Sequence, residues 1–248
     1  MGAFGFSTDS SAGGDFLPII KYDARAGRMF RIDRVNTGTG FDSTPVDITL
    51  AFKALVDFEN VETGWIDFQP GSAPSFHLIR LDDLDNKRAT FPVKPPGGTH
   101  KSGIRFMVKL VKEIAGDSQI REIAGTARTF LTGVEQVYTQ YKAERQQHPG
   151  ELPVVAMDGM PIPIKSGAGE KSSTNYQPKF KIIGWAARGD LKPMPRGTSA
   201  ARDVAAGNGA SNGHDFETPP NTGASARQAP KQAPQQQQPA GFDPSDFG

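Results

Sequence analysis

Two lysines and a tryptophan between Thr174 and Arg188 are the residues whose types and spacing best fit a binding chemistry. In an extended strand, successive side chains point to opposite faces. One face would then carry Lys179, Lys181 and Trp185, and the other would carry apolar residues such as Phe180. Lysines contact phosphates and a flat indole stacks on a base, so the pattern is typical of a surface for single-stranded nucleic acid. An ordinary strand with solvated lysines and a packed tryptophan is the alternative.

Two earlier stretches also oppose an apolar face to a basic one. Residues 47–58 alternate with Lys53 on the polar side, and residues 103–112 place arginine, methionine and lysine opposite Ile104 and Phe106. If these strands are neighbours, one face of the sheet becomes a cationic groove, and basic loops at 94–101 and 165–171 can close over a bound strand. The predicted nucleic-acid-binding residues are Arg31, Lys53, Trp65, Lys94, Lys101, Arg105, Met107, Lys109, Lys179, Lys181, Trp185 and Arg188.

Residues for catalysis or metal binding are sparse. The chain has no cysteine, which excludes disulfides, cysteine zinc sites and cysteine nucleophiles. No two of its four histidines stand at metal-ligand spacing, and no phosphate-binding glycine motif occurs. Asp82, Asp83 and Asp85 could hold Mg²⁺ in a nuclease, but a solvated acidic turn is the favoured interpretation. We therefore expect no enzyme activity, no cofactor and no metal site.

The carboxy-terminal fifth of the chain differs in composition from the rest. From Thr198 onward there is no Leu, Ile, Met, Trp or Tyr, and Gly, Ala, Pro, Asn and Gln dominate. Such a segment buries too little apolar surface to offset the entropy of ordering it. We predict a flexible amino-terminal segment at 1–15, one globular domain at 16–196 and a disordered tail at 197–248.

The charges and the amino terminus bear on the class of partner. The net charge is +1, and because the tail holds three basic and five acidic residues, the preceding part is mildly basic. That distribution suits a polyanion binder. The amino terminus lacks the basic start and apolar run of a secretory signal, and no segment is long enough to span a membrane. We expect no membrane association and a cytoplasmic location.

The order of elements predicts the fold class. Several alternating strands come first, including an expected long hairpin of residues 47–58 and 63–68. An amphipathic helix follows at about 118–145, and further strands come after it. This order favours a mainly β fold, an antiparallel barrel with one long helix, over alternating β–α units. The oligonucleotide-binding fold (OB-fold) has a helix between its third and fourth strands and fits this pattern.

The last eight residues form an acidic and aromatic tip. Phe242, Asp243, Asp246 and Phe247 follow a Gln- and Pro-rich linker. A phenylalanine could fill an apolar pocket on a partner while aspartates pair with its basic rim. A solubilising tail with incidental aromatic residues is the alternative.

These features resemble the single-stranded DNA-binding proteins encoded by tailed bacteriophages. The resemblance lies in residues 176–188, in the helix at 123–141 followed by residues 151–156, and in the tip 242–247, which is similar to the acidic tip of bacterial single-stranded DNA-binding proteins. It implies an OB-fold that coats exposed strands in replication, recombination or repair, in the host cytoplasm. In that family the tip recruits replication and repair proteins and competes with DNA for the basic groove. Here the tip departs from the family pattern, because it ends in Asp246-Phe247-Gly248 rather than Pro-Phe.

Three other functions remain open at this point. An RNA-binding or translational-repressor module would use the same sheet surface, and a structural protein of a virion or complex would need no groove. A nuclease is the third. Homo-oligomers are compatible with each of these functions, and the sequence does not specify the number of subunits.

Overall fold

The computed structural model describes residues 17–37, 41–68, 74–167, 172–193 and Phe247, without the side chains of Val35, Asn36 and Phe41. The predicted segments 1–15 and 197–248 therefore lie outside the described residues, apart from Phe247. The described chain is mainly β with one long helix, as the sequence predicts. None of its helices is long and apolar enough to cross a membrane.

The strands and helices follow one another in a simple order. Within the described residues, eight strands precede the long helix and four follow it. The strands are β1 (Ile19–Asp23), β2 (Arg28–Asn36), β3 (Phe41–Asp47), β4 (Lys53–Val56), β5 (Glu62–Asp67), β6 (Ser75–Arg80), β7 (Lys101–Leu110), β8 (Ile120–Gly125), β9 (Glu151–Met157), β10 (Ile162–Ser166), β11 (Ser173–Gln177) and β12 (Phe180–Ala187). The helices are α1 (Leu81–Asp85) and α2 (Arg128–Glu144).

The main sheet contains a Greek key. Its hydrogen-bonded order is β12-β9-β4-β7-β8-β1-β2-β3, and β5 and β6 branch from β7. In the part β9-β4-β7-β8, the last strand in sequence returns to pair with the first, which is the Greek-key order. Among the described strands, no pairing joins β12 to β3, so the sheet is open.

A meander of β1, β2 and β3 is attached to β8 at one side of the Greek key. The attachment by backbone pairing is short, because β1 and β8 are parallel and only Ile19 and Ile20 have partners. The side chain of Arg121 in β8, which is fully buried, adds a second attachment. Its guanidinium donates to Ile32 O at 2.9 Å and Asp33 Oδ1 at 2.8 Å on β2, and to Ser118 O, Ala115 O and Asp117 on its own side.

The largest apolar cluster lies between the sheet and α2. Alternate residues of the central strands point into it, and α2 contributes every third or fourth residue, as expected of an amphipathic helix. We call this side of the sheet the inner face. Its buried residues include Ala54, Val56, Phe106, Val108, Val155, Phe130, Val134 and Val137.

A second apolar cluster lies on the opposite side, which we call the outer face. It contains residues of β4, β7, β9 and β12, together with side chains from segments outside the sheet. Both faces of the central strands are therefore buried, at least in part. The outer cluster includes Leu55, Met107, Val111, Leu152, Val154, Ala186, Leu191 and Phe247, with Leu17, Ile114, Ile120 and Ile183 packed against it.

Two predicted elements differ from the structure. The helix begins at Arg128 rather than near residue 118, because Ile120–Gly125 forms β8 between β7 and β1. The long hairpin of 47–58 and 63–68 does not form: residues 48–52 turn, and β4 and β5 both pair with β7 rather than with each other. The turn leaves Leu50 63 % exposed, although alternation predicts it to be buried.

Gly133 fixes how closely α2 approaches the sheet. A Cβ at this position would lie 2.5 Å from Pro178 O, which is a backbone atom just before β12. We expect Gly133→Ala to lower the free energy of unfolding by about 1–3 kcal/mol, because overpacking outweighs the better helix propensity of alanine. Urea denaturation measures this, with Thr139→Ala on the exposed side of α2 as the control. Equal stability of Gly133→Ala and the wild type would contradict the close approach.

Candidate nucleic-acid interface

Three of the predicted lysines lie on the outer face. Ala156 in β9 is paired with Lys53 on one side and with Lys181 on the other, and paired residues of neighbouring strands point to the same face. Lys109 is paired with Leu55, two residues along β4 from Lys53. The register therefore brings these three lysines, from β12, β4 and β7, to one side of the sheet.

Strand β7 adds more of the predicted residues to this face. An even number of residues separates Lys109 from each of Lys101, Arg105 and Met107, so all four side chains point to the same face of the strand. Lys101 is exposed, and Arg105 donates to Glu62 Oε2 at 2.6 Å across the neighbouring β5. Met107 is 5 % exposed and belongs to the outer cluster, so it packs beneath the surface. The outer face is thus apolar at its centre and has cationic groups along its length.

The ammonium group of Lys109 is held by two acceptors. It donates to Asp190 Oδ1 at 2.6 Å and to the backbone oxygen of Phe247 at 2.5 Å. The hydrogen bond from Lys109 holds the pKa of the Asp190 carboxyl below its usual range. Since Asp190 is largely exposed and Lys109 is buried, a ligand phosphate could replace Asp190 without moving the sheet.

Phe247 is the part of the tail tip that the structure describes. Its side chain is 6 % exposed and lies in the outer cluster with Leu55, Met107 and Val154. The tip residue therefore occupies the face that also carries the predicted lysines. Phe242, Asp243 and Asp246 lie outside the described residues.

Trp185 does not share a face with the lysines, which corrects the sequence prediction. The pairing of β12 with β9 shifts between Ile182 and Gly184, as in a β-bulge. The extra residue reverses the alternation, so Lys181 stays on the outer face while Trp185 packs against the inner cluster. A glycine in a strand interior is a known sign of a bulge, and Gly184 is that signal here.

Trp185 instead belongs to a ladder of aromatic rings near the end of α2. Its ring stacks on His148 with centroids 4.3 Å apart and planes 6° apart, and on Tyr141 at 5.9 Å. Tyr138 continues the ladder at 5.8 Å from Tyr141, and burial raises the pKa of its hydroxyl to about 12. The indole therefore already stacks on two protein rings.

Arg188 and Arg31 make structural ion pairs. The Arg188 guanidinium lies 2.7 Å and 2.9 Å from the two carboxylate oxygens of Asp57, which is fully buried, and this pairing raises the pKa of Arg188. Arg31 donates to Asp33 at 2.6 Å and to Ile114 O at 2.6 Å. Arg31 is paired with Ile20 of the inner cluster, so it does not share the outer face with the lysines. The Arg188 guanidinium also donates to the backbone oxygen of Leu191, a residue of the outer cluster.

Trp65 and Lys94 are neighbours, but on the other side of the β5–β6 hairpin. Trp65 is paired with Ser102, whose side chain points to the opposite face of β7 from those of Lys101 and Arg105. Its Nε1 donates to Pro92 O at 2.7 Å, and the Lys94 ammonium lies 5.5 Å from the ring centroid. The loop that follows α1 therefore covers Trp65.

Lys179 and Lys181 share one carboxylate. Their ammonium groups lie 3.2 Å and 3.1 Å from Asp158, and hydrogen bonds from both lysines lower the pKa of that carboxyl. Two cations on one anion leave a net positive charge at this end of the outer face.

Sequence reasoning missed two phenylalanines on the outer face. Phe76 is paired with Ile66, which is paired in turn with Lys101, so these three residues form one cross-strand row. The Arg105 guanidinium lies 4.5 Å from the Phe76 ring centroid, and Phe68 meets Phe76 edge to face at 6.4 Å. The sequence of Ser75–Arg80 predicts a strand, but it does not show that this strand pairs with β5, which is what places Phe76 on the outer face.

The structure brings two histidines together that sequence spacing separates. The His77 and His100 rings lie 5.2 Å apart, and Ser75 Oγ is 3.4 Å from His77 and 3.2 Å from His100. Within the described ranges, no group of three or more His, Asp or Glu residues is arranged to hold a metal ion. The aspartates around α1 pair with cations instead, Asp85 with Lys142 at 2.8 Å and Asp83 with Arg88 at 3.7 Å.

Comparisons with protein-family models, curated proteins and solved structures found no match. Any function for this chain must therefore be argued from its own residues and their arrangement.

Substitutions of Arg188 and Lys179 compare a cation that is paired with a buried carboxylate with a cation in an exposed ion pair. We expect Arg188→Ala to lower the free energy of unfolding by about 3 kcal/mol, because it leaves the buried Asp57 carboxylate without its cation. Lys179→Ala should change stability by less than about 0.5 kcal/mol, because its ion pair is exposed. Urea denaturation at neutral pH separates the two outcomes. A stable Arg188→Ala protein would show that Asp57 does not need the pair.

Proposed function

We propose that this chain is a non-enzymatic, sequence-tolerant single-stranded DNA-binding protein, and that the outer face is its binding surface. The observation that carries the proposal is the convergence of Lys53, Lys109 and Lys181 on one face, with Arg105 and Lys101 further along it. Cations spread over several strands of one face can contact a phosphate backbone without reading base sequence. The protein would coat exposed strands in phage replication, recombination or repair.

The strand order supports an OB-fold as the frame of this surface. Counting β4, β7, β8, β9 and β12 as five strands, the helix α2 lies between the third and the fourth. Their pairing contains a Greek key, and OB-folds are five-stranded, partly open Greek-key barrels. We propose that the β1–β3 meander is an addition at the β8 edge.

Binding would combine two contributions. Each lysine or arginine that reaches a phosphate releases condensed counterions, which makes the affinity depend on salt. Unpaired bases also present apolar faces, and the outer cluster and Phe76 provide apolar surface for them. Duplex DNA cannot offer its base faces in this way, so unpaired strands are favoured.

The tail tip would act as an internal competitor. Phe247 fills the outer cluster and its backbone oxygen accepts from Lys109, so it uses both the apolar and the cationic part of the surface. DNA that binds at Lys109 must displace it. The released tip would then be available to replication or recombination proteins.

Substitution of Lys53 and Lys181, the two lysines paired with Ala156, tests whether the outer face binds DNA. We expect the double variant Lys53→Ala, Lys181→Ala to reduce the slope of log Kobs against log salt by about 1.4, since each lost contact to single-stranded DNA removes about 0.7. Anisotropy of labelled oligo(dT) measures this over a salt series. The matched control is Lys87→Ala, Lys142→Ala, around α1, which should leave the slope unchanged.

Three results would count against the proposal. Equal effects of the two double variants would mean that the outer face has no special role. Salt-independent binding, or no binding, would favour a structural protein. Tighter binding of oligo(U) than of oligo(dT) would make RNA the ligand.

The tip is tested by Phe247→Ala. If the tip covers the surface about 90 % of the time at low salt, its loss should tighten oligo(dT) binding about tenfold. Deleting residues 241–248 should do the same. Unchanged affinity after the deletion would leave the tip without a competitor role.

A further inference from the structure

The outer face continues past Arg105 onto the β5–β6 hairpin. The rows of paired residues run from β6 through β5 to β7, one as Phe76, Ile66 and Lys101, another as Arg80, Glu62 and Arg105. Because paired residues share a face, Phe76, Lys101 and Arg105 lie on the side that also carries Lys109. The surface is therefore longer than the part on which the proposed function rests.

This extension combines aromatic rings with cations. Phe68 is 47 % exposed and meets Phe76 edge to face, while the guanidinium of Arg105 lies over the Phe76 ring. Glu62 holds Arg105 through two hydrogen bonds, at 2.8 Å and 2.6 Å, which fixes the guanidinium against that ring. Lys101 is exposed beside this group. A fixed ring with an adjacent exposed ring and cations suits a nucleobase and its phosphate.

The two ends of the outer face differ in what covers them. At the Lys109 end, Met107 and Lys109 are 5 % and 6 % exposed, and Phe247 packs in the same cluster. At the hairpin end, Phe68 and Lys101 are exposed while Phe247 is docked. Lys101 and Lys109 are eight residues apart on one strand, which is about 27 Å at ~3.4 Å per residue. Phe247 therefore covers the Lys109 end, while Phe68 and Lys101 remain exposed at the hairpin end.

We propose that Phe68 and Phe76, with Lys101 and Arg105, form a first-contact subsite for unpaired bases. It takes the end of a single strand before Phe247 is displaced, and the strand then extends toward Lys109. This inference rests on the proposed function and adds an order of events to it. Binding would begin at the hairpin and finish by releasing the tip.

The test uses Phe68→Ala in the full chain and in a chain lacking residues 241–248. Stopped-flow mixing with labelled oligo(dT) gives the association rate. We expect Phe68→Ala to slow association by at least about fivefold in the full chain, since one base stack is worth ~1–3 kcal/mol. In the truncated chain the slowing should be less than about twofold, because the Lys109 end is then open to direct contact.

Phe91→Ala is the matched control. Phe91 is 42 % exposed, close to the exposure of Phe68, but it packs against Trp65, on the opposite side of the hairpin. Its loss should leave association unchanged in both chains. The melting temperature of each variant, measured by thermal denaturation, shows whether the variant is still folded.

The outcomes separate this inference from the proposed function. Salt-dependent binding of oligo(dT) that Phe68→Ala leaves unchanged would overturn the subsite alone. Equal slowing in the full and truncated chains would overturn its role as first contact. If neither the full chain nor the truncated chain binds oligo(dT) when Phe68 is present, the proposed function is overturned, and the subsite with it.

Discussion

The buried guanidinium of Arg121 is the interaction on which the arrangement of this sheet depends most. Parallel pairing gives β1 only two partners on β8, which is little attachment for a three-stranded meander. Arg121 joins the two parts by donating to β2 and to the segment before β8. A charge taken wholly out of water is tolerable only when its donors are satisfied, so the acceptors and the guanidinium require one another.

The same rule explains how the protein uses its other cations. Arg188, Arg31 and Arg105 lie against carboxylates that are buried or half-buried, and each stabilises the position of an element. Three lysines, Lys109, Lys179 and Lys181, pair instead with the exposed carboxylates of Asp190 and Asp158, whose contacts are easily exchanged. The guanidinium groups of Arg31 and Arg188 therefore help to fix the frame, whereas the ammonium groups of these lysines lie where an anionic ligand can compete with the aspartates.

Local patterns predicted much of the fold but not the side on which each residue lies. Alternation in β7 and the spacing of Phe130, Val134 and Val137 were enough to predict a strand and a helix. Ile120, Ile123 and Ala124 fit a helical spacing as well as a strand, so the sequence alone predicts a helix where β8 forms. One bulged residue in β12 moved Trp185 to the inner face. Ion-pair partners and the position of Phe247 depend on contacts between residues far apart in sequence, which no local pattern contains.

The aromatic ladder at the end of α2 has a consequence for optical measurements. The chain has two tryptophans, and one of them, Trp185, stacks on His148 and on Tyr141. Its emission will report on whether the end of α2 remains docked on β12. The other, Trp65, lies under the loop that contains Pro92 and will report on that loop. Intrinsic tryptophan fluorescence thus reports on the packing of α2 and of the loop that contains Pro92. Binding of a ligand to the outer face is better followed by a label on the ligand itself.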